Sequence, residues 1–162
     1  MEVANTRIVS QISATVSFER ADGSRPTLDY TQGKFQQVPA DADLLFSNAF
    51  DIASGANLDI DLVGGVEDQF GNAITFAKVY GILVINNATE AGHNIAVGGS
   101  TNSVPLMASA TQAISPVGPG AVHLSNILPG WTVTAGTGDI LRVSNIAGGE
   151  SINVTVAVLG KA

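Results

Sequence analysis

Asp59 and Asp61 are the first residues in this chain whose type and spacing suggest chemistry. They alternate with Leu58, Ile60 and Leu62, so on an extended strand both carboxylates point to the same face. Paired carboxylates serve glycosidases or hold Ca²⁺, but glycosidic cleavage needs a cleft and two separated pKa values. Two neighbours on the open face of a strand read as a solvated surface, with Ca²⁺ as the alternative. His93 and His123 stand thirty residues apart, with no cysteine in the chain and no evident third ligand, so no metal site is expected. His123 alternates between Val122 and Leu124 and reads as a strand residue with a bonded ring. The run Gly136-Thr137-Gly138-Asp139 has a phosphate-loop composition, but a strand follows it where phosphate binding needs the N-terminal amides of a helix, so it reads as a turn. There is no Gly-X-Ser-X-Gly elbow and no Walker-type loop. Two isolated histidines assemble no nucleophile and base, so the chain is read as a non-enzyme, with no catalytic, cofactor-binding or metal residues and no cofactor.

The elements that would position any site are strands. Of the 162 residues 45% are apolar and 13% charged, with mean hydropathy +0.29, which excludes disorder. Eighteen glycines and six prolines punctuate the chain as turns do between short strands. Ile8, Ile12, Ala14, Val16 and Phe18 share one parity opposite mostly polar residues, a half-buried strand. Asp22-Gly23 is a turn signal, and short extended pieces follow at residues 28–31 and 35–38. Apolar runs mark 44–46 and 50–52, and the alternation at 58–62 marks another one-sided strand. Residues 80–85 form a continuous apolar run, expected of a central strand covered on both faces. Further strands are expected at 94–97, 104–107, 121–124, 131–134, 140–144 and 152–159, and residues 75–80 are the one place for a helical turn. The expected architecture is all-β, a single jelly-roll-like β-sandwich of about 8–10 short strands. One domain spans residues 1–162, with residues 1–40, the most polar part, as a candidate extended N-terminal arm. The expected core is Ile12, Val16, Leu58, Ile60, Leu62, Ile82, Val84, Val97, Leu124, Val133, Leu141, Val143, Val154 and Val156.

Charge excludes several partners. The net charge is −7 and the pI about 4.5, with seven scattered basic residues, so neither nucleic acid nor an anionic membrane surface is an expected partner. The N-terminal Met-Glu-Val-Ala-Asn-Thr-Arg lacks the basic start and apolar run of a secretory signal, so the product is expected in the cytosol until its assembly leaves the cell. From residue 91 to residue 138 there is no Asp, Glu, Lys or Arg. Soluble domains usually carry about a quarter of charged residues and disperse them over the surface. A long span without charge suggests either buried core strands with uncharged loops or surface that another protein covers.

Four pieces of the chain carry a resemblance. They are Asn57-Leu58-Asp59-Ile60-Asp61-Leu62 with the run Asp68-Gln69-Phe70-Gly71-Asn72-Ala73-Ile74-Thr75-Phe76-Ala77-Lys78-Val79, then Asn94-Ile95-Ala96-Val97-Gly98-Gly99, then Pro119-Gly120-Ala121-Val122-His123-Leu124, and finally Val133-Thr134-Ala135-Gly136-Thr137-Gly138-Asp139-Ile140-Leu141-Arg142-Val143. In this order, over residues 44–160, the series resembles small virion structural proteins of tailed bacteriophages. That resemblance implies a β-sandwich repeated many times on the virion and no catalytic residues. The resulting expectation is a capsid decoration (cement) protein that stabilises junctions between major capsid subunits, found on virions assembled in the host cytoplasm. Its partners would be the major capsid protein and itself, as a homo-oligomer with a trimer preferred over a dimer. A tail or fibre-adaptor protein is the alternative of the same class. A carbohydrate-binding module, with Trp131 or Tyr80 as stacking face and Asp59 and Asp61 as polar contacts, is the alternative of another.

The uncharged span is where contacts are expected, because hydroxyls and amides cost less to bury than unpaired charges. The loops at 100–104 and 115–120 are the leading segments. Asn102, Val104, Pro116, Val117, Pro119 and Trp131 are the expected interface residues, and the N-terminal arm is the second candidate.

Overall fold

A computed structural model describes residues 8–17, 27–37, 41–68, 70–106 and 109–162, with side chains from residue 41 onward except 124–128. The described residues form strands and turns with no helix. They divide into two compact units, the smaller of which is Thr6–Val38.

The small unit is an antiparallel hairpin of β1 (Ile8–Ser17) and β2 (Thr27–Gln37). Val16 stands opposite Leu28, Ala14 opposite Tyr30 and Ile12 opposite Gln32. Beyond Ile12 the register shifts, because two steps from Ser10 to Ile12 face three from Gln32 to Phe35. That extra residue is a bulge, and it lets β2 continue unbroken where two short pieces were expected. Phe18, Asp22, Gly23 and Val38 lie outside the described residues, and so do the side chains of Ile12 and Val16, both expected in the core.

The larger unit carries β3 (Leu44–Ile52), β4 (Asn57–Asp61), β5 (Val66–Glu67), β6 (Ala73–Ile74), β7 (Lys78–Asn86), β8 (Ile95–Gly98), β9 (Ala113–Val117), β10 (Val122–Thr132), β11 (Ile140–Asn145) and β12 (Ile152–Lys161). One four-stranded sheet has the order β10-β7-β12-β3 and the other β4-β11-β8-β9, while β5 and β6 pair as a minor hairpin. All pairings between strands are antiparallel. Leaving the minor hairpin aside, the first long strand pairs with the last (β3 with β12), the second with the seventh (β4 with β11), the third with the sixth (β7 with β10) and the fourth with the fifth (β8 with β9). The larger unit is thus a long hairpin rolled up on itself, with the connection between β8 and β9 (99–112) at its tip.

Alternation explains why the two sheets close on one core. β12 buries Ile152, Val154, Val156 and Val158 and leaves the intervening residues partly or fully exposed. β11 buries Leu141 and Val143, β4 buries Ile60, and Phe46, Ile82, Val84, Ile95 and Val97 join them in one continuous cluster drawn from both sheets. The domain is therefore a β-sandwich, with each fully buried aliphatic side chain contributing about 1.5–3 kcal/mol. Ile60, Leu62, Ile82, Val84, Val97, Val133, Leu141, Val143, Val154 and Val156 are buried as expected, whereas Leu58 is only partly so. The Leu124 side chain lies outside the described ones.

Several local expectations need correction. The run at 80–85 does lie in an inner strand, but Ile82 and Val84 are fully buried while Leu83 and Ile85 on the other face are half-exposed. Residues 44–52 form one strand, and the segments at 121–124 and 131–134 join in β10, which passes the Pro129-Gly130 corner through a register shift between Asn126 and Trp131. Gly130 has φ 96°, and a Cβ there would lie 2.8 Å from the Tyr80 ring, so only glycine lets β10 pass this close. Among the described residues of 104–107 there is no strand. Ser103 instead bridges to Ile140 and the Val104 amide donates to the Ile140 carbonyl, while Met107 lies outside the described residues. Lys78, Val79 and Tyr80 are already β7, so there is no helical turn there. β9 overlaps the segment 115–120 expected as a loop, and Pro116 within it is a residue that strands usually exclude. β9 is a strand nonetheless, since it is a sheet edge and the register shift between Ile95 and Val97 makes it a bulge, both places where a missing N–H is tolerated.

Candidate functional site

The uncharged span divides between core and edge, since it supplies the inner, fully buried strand β8 and one edge strand of each sheet. β9 is an edge of one sheet and β10 an edge of the other, and residues 91–138 contain both, together with β8 and the 99–112 tip. The opposite edges, β3 and β4, lie in residues 41–68, which hold Asp41, Asp43, Asp51, Asp59, Asp61, Glu67 and Asp68 and no lysine or arginine. The edge strands therefore differ in charge, β9 and β10 carrying no Asp, Glu, Lys or Arg while the segment of β3 and β4 is acidic.

Within the uncharged span Pro116 is exposed, and Asn102, Pro119 and Trp131 are half-exposed, the last packed against the core. Val104 and Val117 are not surface residues. They are 1% and 7% exposed and belong to the core, so neither is available to a partner. Pro116 on the β9 edge also withholds a backbone donor, which disfavours edge-to-edge strand pairing there.

In the acidic segment Asp59 and Asp61 stay solvent-exposed, and each is engaged. Arg142 on the neighbouring β11 donates to Asp59 through Nε and Nη2, both at 2.6 Å. This hydrogen-bonded guanidinium holds the Asp59 carboxyl below its usual range. Asp61 Oδ1 accepts the Val63 amide at 2.8 Å and so closes the turn after β4. An open groove of about 490 Å³ lies beside β4, lined among others by Phe46, Phe50, Leu58, Asp59, Glu67 and Asp68. The Phe46 and Phe50 rings pack against each other at 6.4 Å. Asp68 accepts from the Phe70 and Asn72 amides and the Asn72 side chain, and these bonds lower its pKa too.

The aromatic faces also differ from expectation. Tyr80 is 2% exposed, and its hydroxyl donates to Asp41 at 2.6 Å, so it offers no stacking surface. Burial, reinforced by the Asp41 carboxylate, pushes its pKa up to about 12. The folded value lies above the ordinary 10.0, so this contribution to stability is full below pH 10 and is lost as the pH rises towards 12. A spectrophotometric titration should show one phenol ionising near pH 12, and Tyr80→Phe should remove that step.

The histidines separate. His123 on β10 is half-buried, and burial lowers its pKa. His93 lies at the end of the sandwich where the 87–94 loop, between β7 and β8, meets the 146–151 loop, between β11 and β12. There its imidazole and the carboxylates of Glu90 and Glu150 place one ligand atom each within 4.8 Å of one another. Two buried asparagines, each the last residue of its strand, hold these loops. Asn86 Nδ2 donates to the His93 carbonyl at 2.7 Å and its Oδ1 accepts the Ala88 amide. Asn145 Nδ2 donates to the Glu150 carbonyl at 2.9 Å and its Oδ1 accepts the Ala147 amide. Sequence spacing did not reveal this grouping, because Glu150 comes from a loop that only the sheet order brings alongside.

No family model, no curated protein and no solved structure matches this chain.

Proposed function

We propose that the protein is a bacteriophage capsid decoration protein that docks through its uncharged edges at junctions between major capsid subunits. The observation that carries this reading is that the edge strands β9 and β10 both lie in residues 91–138, free of Asp, Glu, Lys and Arg, while the edge strands β3 and β4 lie in an acidic segment. Surface of this kind is covered without the desolvation cost of charge, while the acidic segment faces solvent and keeps particles apart. The nested strand pairing supports a jelly-roll reading of the sandwich, an architecture that viral capsid domains use. Many symmetry-related copies each need bury only a modest area, and the threefold sites of shells favour a trimer. The carbohydrate-binding alternative has lost Tyr80 as a platform, and Asp59 is committed to Arg142.

Co-sedimentation of the purified protein with shells lacking it tests this function. Saturable binding in hundreds of copies, with a rise in the melting temperature of the shell, is the expected result. A protein that stays monomeric at high concentration and leaves the shell unbound would refute the proposal.

A further inference from the structure

We infer that Glu90, His93 and Glu150 bind a divalent transition-metal ion of the zinc class, which clips the 87–94 loop to the 146–151 loop at one end of the sandwich. The inference is independent of the capsid reading. Its basis is the convergence of one imidazole and two carboxylates, from two separate loops, to within 4.8 Å.

Three features make the grouping a ligand set rather than a chance of surface crowding. First, the anchoring acts on the ligand residues themselves, since the buried amides of Asn86 and Asn145 hold the His93 and Glu150 carbonyls. The backbone of these two ligands is therefore fixed before any ion arrives, which lowers the ordering cost of binding. Second, two carboxylates are brought close together, and among the described residues neither is in an ion pair with a lysine or arginine. Like charges at this spacing disfavour each other, and a cation between them reverses the sign of that interaction. Third, the donors are one nitrogen and two oxygens. Ca²⁺ and Mg²⁺ prefer all-oxygen shells, whereas imidazole with carboxylates suits zinc, with water in the fourth position.

The geometry has room to close. Tetrahedral zinc at roughly 2.0–2.2 Å from each ligand holds its ligand atoms about 3.5 Å apart. Glu90 and Glu150 are exposed and His93 is half-exposed, so the two long side chains are free to swing in and the ion has an open path.

Thermal melts of the full chain, stripped with chelator and then given zinc alone, test the site. With zinc at 100 times its dissociation constant, the folded-to-unfolded ratio is expected to rise about 100-fold, at one ion per chain. His93→Ala should abolish that rise, Glu150→Gln should weaken binding at least tenfold (about the smallest loss typical of altered metal-site partners), and His123→Ala should leave it intact. In the wild type, zinc should shift the imidazole resonances of His93 and leave those of His123 in place, a readout that does not depend on the variants folding. An unchanged melt, a zinc response that survives His93→Ala, or equal shifts of both histidines would overturn the proposal. So would stabilisation by calcium without any by zinc.

Discussion

Val117→Asp is expected to abolish the folded sandwich, whereas Pro116→Asp, one residue away, is expected to fold normally and to lose shell binding. Val117 is 7% exposed and part of the continuous core, and its carbonyl accepts the buried Asn86 side chain at 3.1 Å. A carboxylate placed there is buried in an apolar cluster, and leaving a buried charge unpaired costs several kcal/mol. That is comparable to the whole stability of a domain, about 5–15 kcal/mol. Pro116 is exposed on the β9 edge, so its replacement adds a charge and a backbone donor to the uncharged edge without placing either in the core. Near-ultraviolet circular dichroism checks the fold of both variants, and co-sedimentation checks docking, with a loss of tenfold or more expected for Pro116→Asp. Wild-type docking by Pro116→Asp, with docking lost when the first 20 or so residues are trimmed, would move the interface to the N-terminal segment.

The second large effect is expected at Asn145, which is 2% exposed and ends β11. Its Nδ2 donates to the Ile52 and Glu150 carbonyls, both at 2.9 Å, and its Oδ1 accepts the Ala147 amide at 3.0 Å. One side chain thereby ties the ends of β3 and β11 to the turn that leads into β12. Asn145→Ala removes all three bonds and strands groups that are buried or partly buried, each worth about 1–3 kcal/mol when unsatisfied. With partial relaxation the loss should be about 3–4 kcal/mol, read as a lower urea midpoint and a fall of about 10 °C in melting temperature. Asn145→Asp should not rescue it, because an ionised carboxylate donates no hydrogen bond. A loss below about 1 kcal/mol would mean that water replaces the amide and that the loops are not held this way.

The parts of this fold that were legible in the sequence are those where local pattern and final environment agree. β4, β11 and β12 alternate and bury the alternating set, so their period of two translated directly into Ile60, Leu141, Val143, Val154 and Val156 in the core. β9 was hidden because Pro116 reads as a breaker, and only its place at a sheet edge, a tertiary fact, makes it acceptable. Val104 and Val117 were assigned to the surface for a related reason. An apolar residue in a polar, turn-rich stretch looks like a contact for a partner, but here the chain itself folds over both. Tyr80 failed as a stacking face because its partner, Asp41, lies 39 positions away and no spacing rule links them. The Glu90, His93 and Glu150 grouping and the groove beside β4 depend in the same way on which loops and edges the nested strand order brings side by side. What sequence did supply on function was the uncharged span, a property of composition that folding divides between the core and the β9 and β10 edges.

Electron cryo-microscopy of intact particles tests the central claim most directly. Density for this sandwich is expected in hundreds of copies on the head, at the junctions between major capsid subunits, with the β9 and β10 edges and the 99–112 tip against the shell and the acidic β3 and β4 edges towards solvent. Six or twelve copies on the tail, or a sandwich that meets the shell through β3 and β4, would contradict it.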